Sequence, residues 1–230
     1  MTTSEFSNEF DILYNNIMSN QAPGLNEYEK SVLLTQAQES LILDIYTGRY
    51  NKSSFESTEE VTSYLNTLVK KTTITSNIEE EGLIKSSKIY KLPEDLWYIT
   101  YESVTLEDKN LECKNNQTVL VKPVTQDELH STLRNPFKRC NDKRVLRLIR
   151  DNKAELISDY NIKSYNISYI SKPSPIILEN LDVYNISING VTNVTDCKLN
   201  PASHRLILNR AVQLAKSLWV SGNQINKSYV

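Results

Sequence analysis

The apolar residues of this chain change their spacing twice. Up to about residue 70 they recur with a helical period, from about 89 to 197 they fall into short runs with strand-like alternation, and after 198 the helical period returns. Separate blocks of helix and strand predict an α+β protein. An amphipathic terminal helix cannot stand alone in water, so the last block should fold back on the first. The expected plan is an N-terminal helical bundle (1–75) closed by the C-terminal helix with its tail (198–230), and a mainly β region (76–197) inserted between them.

The helical block has three parts. Phe6, Phe10, Leu13 and Ile17, widened by Tyr14 and Met18, mark a first helix from Ser4 to about Ser19. "NQAPG" breaks it, and Asn26 followed by Glu29 supplies a capping box for a second helix. On a helical wheel, Leu34, Ala37, Leu41 and Ile45 share one face of that helix, while Tyr28, Val32, Leu43 and Tyr46 line a second face roughly opposite. A single core needs only the first face. The second is either covered within the same fold or meets another subunit. In "STEEVTSYLNTLV", Ser57 and Glu60 form a further expected capping box, with Val61, Tyr64, Leu65 and Leu68 as the buried stripe.

From Lys70 to Lys88 periodicity is lost, and the stretch reads as a polar crossing. "LWYITYESV", "TVLVKPV", "RVLRLI", "AELIS", "NISYI" and "VYNISI" then read as strands. Asn189–Gly190 is a hairpin signal, because both residues tolerate the positive φ of a type I′ turn. A short helix is expected at "TQDELHSTL", capped by Thr125 and Glu128. In the last block Asn200 is the cap and Pro201 the first helical residue. Ile207, Ala211, Leu214 and Leu218 form the stripe, widened by Leu208, Val212, Ala215 and Trp219, and Gly222 is the expected stop.

Side-chain chemistry offers little for catalysis. With five glycines in 230 residues there is no phosphate-cradling loop. His130 and His204 lack a neighbouring nucleophile pattern, and His204 reads as a capping or packing residue. Cys113, Cys140 and Cys197 match neither a zinc pattern nor a disulfide framework and read as structural thiols. The carboxylates of "EEEG" (79–82) lack the alternating oxygen ligands of a calcium loop. No catalytic, cofactor or metal residue is therefore expected. The start has no signal-peptide pattern and no apolar run is long enough for a bilayer, so a soluble protein made inside the cell, with no membrane partner, is expected. The Asn-x-Ser/Thr triplets are then composition rather than glycan sites.

With 26 basic and 28 acidic side chains, total charge selects no partner. Locally, "RNPFKRCNDKRVLRLIR" carries Arg134, Lys138, Arg139, Lys143, Arg144, Arg147 and Arg150 against one acid, Asp142. The run is open to three readings: an edge strand protected by charge, an acidic protein partner, or nucleic acid.

Several stretches carry a family resemblance. "FDILYNNIMSNQAPGLNEYEKSVLLTQAQESLI" looks like an opening helix pair; "YKLPEDLWYI" and "LRNPFKRCNDKRVLRLI" look like middle motifs; "YISKPSPIIL" followed by "CKLNPASHRLILNRAVQLAKSLW" looks like a closing stretch. Together they resemble the connector ring proteins of crAss-like tailed phages of Bacteroides-type hosts. One departure is Cys140, where a second proline would be expected.

The resemblance implies a non-enzymatic head-tail connector in the virion, assembled as a homo-oligomeric ring, taken as a dodecamer. It also implies docking on the portal protein and on other connector or tail proteins, with DNA passing through without sequence-specific binding. On that basis Arg134, Asn135, Pro136, Phe137, Lys138 and Arg139 are the best contact candidates, joined by Arg144 and Arg147 from the charge pattern and by Tyr28, Val32, Leu43 and Tyr46 from the two-faced helix. The alternative is a tail-associated β-rich module that attaches receptor-binding proteins or glycans, with Trp97, Tyr98 and Tyr101 as the handle.

Overall fold

The computed structural model describes residues 1–18, 24–50, 52, 56, 58–108 and 115–227. Among them the chain is α+β. The elements in order are α1 (Thr3–Met18), α2 (Glu27–Tyr46), α3 (Glu59–Leu65), β1 (Val69–Ile74), β2 (Ser87–Lys91), β3 (Leu96–Leu106), β4 (Thr118–Pro123), α4 (Gln126–Arg134), β5 (Arg144–Arg150), β6 (Lys153–Ile157), β7 (Ile162–Ser171) and α5 (Pro201–Lys227). Two compact units result: Met1–Leu68 with Pro173–Val230, and Val69–Lys172. The sequence reading drew its boundaries at 75/76 and 197/198.

In the helical unit, α2 begins where Asn26 Oδ1 accepts the Glu29 amide at 2.8 Å and Glu29 returns a carboxylate oxygen to the Asn26 amide at 2.9 Å. This is the expected capping box. The expected core face, Leu34, Ala37, Leu41 and Ile45, is fully buried, and α2 packs on α5. Each such leucine or isoleucine contributes about 1.5–3 kcal/mol. Phe6 of α1 lies 5.3 Å from the His204 ring of α5, and Arg210 of α5 is ion-paired with Asp44 of α2.

The side of α2 next to the core face is covered by the segment that follows Lys172. A polar stripe on the helix receives it: Ser31 Oγ accepts the Leu178 amide at 3.0 Å, Thr35 Oγ1 accepts the Ile176 amide at 3.1 Å, and Gln38 donates to Ser174 O at 3.0 Å. These buried groups satisfy an extended segment that has no ladder partner for those amides. Beyond it, Ile177, Leu181 and Ile188 cluster against Tyr28 and Val32.

Several local expectations are corrected. "VYNISI" is not a strand: Asp182–Tyr184 is a 3-10 turn, and Asn189–Gly190 closes only the isolated bridge Ile188–Val191. Its turn geometry is as expected, with φ of 52° and 79°. Ser57 lies outside the described residues; the α3 N-cap is Thr58, with no side-chain capping bond. Thr125 does cap α4 by position, but its hydroxyl is engaged with Asp127, so no capping box forms. Helix α5 runs through Gly222 to Lys227, since a mid-helix glycine costs only about 1 kcal/mol.

The sheet unit orders its strands β1-β7-β3-β4-β5-β6-β2. All pairs are antiparallel except β4 with β5, which α4 joins as a crossover. The main core, including Val104, Val119, Val145, Leu156, Tyr165 and Ile167, lies on one face. On the other, Leu129 of α4 and Cys140 cover Leu146, Leu148 and Ile157. The stretch expected to be a polar crossing, Lys70 to Lys88, holds most of β1 and the start of β2. Both lie at the ends of the strand order, β2 carrying besides its ladder with β6 only the isolated bridge of Ile89 to Ile78, and a sheet edge is where lysines and threonines suit a strand. Conversely β5, for whose arginines a protected edge strand is one of three open readings, lies inside the sheet between β4 and β6, which removes that reading.

Candidate interaction surface

The basic stretch folds into a short, highly bonded loop between α4 and β5. Asn135 Oδ1 accepts the Phe137 amide at 2.9 Å, and Asn135 O accepts the amides of Lys138 and Arg139 at 3.0 and 2.9 Å. Arg144 donates back to Phe137 O at 2.9 Å, and Arg139 pairs with Asp159 at 3.0 Å. Cys140 is buried beneath, its thiol directed at Asp159 Oδ1 and pushed up to about 11 by burial. The backbone is thereby fixed while the Phe137 side chain is left 86% exposed. Arg134, Pro136, Lys138 and Arg139 are also exposed, Asn135 and Arg144 half-buried.

Arg147 sits elsewhere. Its guanidinium lies inside the sheet unit 2.9 Å from Glu102, whose other oxygen accepts the Tyr165 hydroxyl at 2.7 Å. Its charge is therefore engaged with Glu102.

On α2, the second face divides. Tyr28 and Val32 are half-buried against the Ile177–Leu181–Ile188 cluster, which explains part of it within the fold. Their free edges, with Leu25, Leu33 and Leu218, line an open apolar groove of about 290 Å³, with Glu29 and Gln36 on its rim. Leu218 was expected in the buried α5 stripe but is 64% exposed here. One turn before the end of α2, Leu43 is 37% exposed, and Tyr46 is half-buried.

Several other ionisable groups are built into the fold. His204 is buried, its ring bonded to Leu199 O at 3.0 Å and held below the ordinary histidine value by desolvation. His130 is exposed on α4. Cys197 is raised to about 11 by burial, Cys140 and Cys197 are unpaired, and Cys113 lies outside the described residues. Lys30, buried on α2, is held by Asp11 at 2.7 Å and Glu27 at 2.9 Å. Glu80 of the acidic run pairs with Lys153, and among the described residues no group of three or more His, Cys, Asp or Glu could hold a metal ion. No described helix is long and apolar enough to cross a membrane.

Strand β3 carries the aromatic trio. Trp97 and Tyr98 stack at 4.8 Å, consecutive residues brought together where the register slips, and Tyr101 is exposed. Leu120 on neighbouring β4 is exposed too, a feature that strand alternation alone did not single out.

Two apolar features thus stand out, one on each separately packed unit: the exposed tip at Phe137 and the groove at Leu218. The sequence profile of phage tail ring protein 3/4, from the crAss group, matches residues 1–226. Ring protein 3 of Bacteroides phage crAss001 is 47% identical over 220 residues, covering 94% of this chain and 95% of the relative. Ring protein 4/5 of the same phage is 37% identical over 231 residues, covering 95% and 94%. The chain belongs to the crAss phage tail ring protein 3/4 family, a virion structural family, as the resemblance of its sequence patches implied.

Proposed function

We propose that this chain is a ring-forming subunit of the phage head-tail connector, joining the portal to tail components and letting DNA pass without sequence-specific contact. The family match across residues 1–226 carries this reading. Its mechanism is mechanical, with no cofactor or reaction. The helices packed around α2 act as a bundle forming the ring body, and the sheet unit reaches toward partners.

Cyclic closure requires one patch to meet a different patch on the next copy, taken here as twelve copies. The α2 residues Tyr28, Val32, Leu43 and Tyr46 form one such patch. The loop Arg134–Arg139 with Arg144 forms another, with Arg147 bracing the strand behind it. An ordered loop with one exposed aromatic inside a cationic rim suits docking on an acidic protein face. Reversing Arg139 and Arg144 to glutamate should weaken binding to the portal or ring partner and flatten its salt dependence. Binding with unaltered affinity and salt dependence would contradict the role of the loop.

The second reading, a tail-associated module binding receptor-binding proteins or glycans, is favoured by one observation, the exposed Tyr101 beside the Trp97–Tyr98 stack. A glycan array separates the two: silence counts against it.

A further inference from the structure

We infer that the Pro136–Phe137 tip of one copy seats in the groove lined by Leu25, Tyr28, Val32, Leu33 and Leu218 on the next copy. This rests on the ring reading above and specifies which two patches meet.

The tip is a preformed knob. Its backbone is pinned by Asn135 and Arg144, so docking orders little more than one side chain, and the phenyl ring is 86% exposed before any partner arrives. The groove is a preformed hole. It is apolar, open, and large enough for one aromatic ring, and it offers Leu218 at 64% exposure as its outer wall.

Charge points the same way. The helical unit holds 13 acidic and 8 basic side chains, net -5; the sheet unit holds 15 acidic and 18 basic, net +3. A basic sheet unit on one copy is therefore drawn to the acidic helical unit of another, as heterologous closure requires and as like-on-like contact would oppose. At the contact itself, Arg139 is already paired with Asp159, which leaves Arg134 and Lys138 as the tip's exposed cations. Among the described residues the groove has Glu29 on its rim and no cation in its lining. A second groove of the helical unit, around Ile12 and Leu208, carries both Glu9 and Arg205, so the two charges offset and it offers the cationic tip no comparable attraction.

The test replaces Phe137 with the photo-crosslinker p-benzoylphenylalanine in full-length protein, mixes isotopically heavy and light copies, and maps the crosslinks after illumination. Heavy-to-light crosslinks from position 137 to the Leu25–Gln36 peptide or to the Leu218 region are expected. In parallel, Phe137→Ala should raise the concentration for half-assembly roughly tenfold or more. Rings that form normally with crosslinks to other places, or a Phe137→Ala variant assembling like wild type, would overturn this pairing and leave the ring reading standing. A wild-type chain that stays monomeric would overturn both.

Discussion

Arg147 and Glu102 face one another inside the sheet unit at 2.9 Å, with side chains only 11% and 8% exposed. Two charges taken out of water stabilise little as a pair, but removing one strands the other. Arg147→Met should therefore cost about 3–5 kcal/mol, and Arg147→Met with Glu102→Leu should recover most of it. Urea unfolding of the two variants beside wild type measures this.

The same pair gives a pH dependence. Burial pushes the Glu102 carboxyl above its ordinary value of 4.5, more strongly than Arg147 and Tyr165 pull it down. The folded chain thus keeps this proton at a pH where the unfolded chain has released it. Its contribution to stability is complete below 4.5 and is lost as pH rises through the raised value. Glu102→Gln should remove that downward slope, read as the difference between the two stability-pH curves just above 4.5.

Gly82 is required by close approach rather than by a special turn. A methyl group there would overlap Ser87 Oγ and Glu155 Oε1, while Glu155 also binds the Leu83 amide at 2.7 Å and ion-pairs with Arg150. Gly82→Ala should lower stability by about 1–3 kcal/mol through overpacking, seen as a lower denaturant midpoint with unchanged slope.

Leu43 contributes little to the monomer core at 37% exposure. Leu43→Glu should change monomer stability by only about 0.5 kcal/mol yet shift assembly toward smaller species. Tyr46→Glu, on the half-buried end of the same face, should do likewise. Native mass spectrometry reads both, and unchanged assembly in the two variants would remove this face from the interface.

How legible these features were in sequence follows from how local their causes are. The α2 capping box needs only Asn26 and Glu29 three residues apart, and it formed as read. The burial of Leu34, Ala37, Leu41 and Ile45 needs only helical spacing. By contrast, β1 and β2 are strands because β7 and β6 lie beside them, and no local pattern in their lysines and threonines announces a distant partner. No sequence pattern singles out Ser31, Thr35 and Gln38; that they receive the backbone of residues 174–178 depends on contacts more than 130 positions away. For the candidate surface, the basic loop was visible as a charge run, but the separation of Arg147 from its neighbours was not, because strand alternation within an interior β5 turns it toward Glu102. The groove at Leu218 was hidden for a similar reason: spacing assigns a residue to a stripe but does not say where the stripe's cover ends.

The most direct test of the central claim is native mass spectrometry of the purified wild-type chain across a concentration series. A single closed ring of one subunit number, appearing cooperatively as concentration rises, is the predicted result; a chain that remains monomeric, or grows into open polymers without a preferred size, would contradict it.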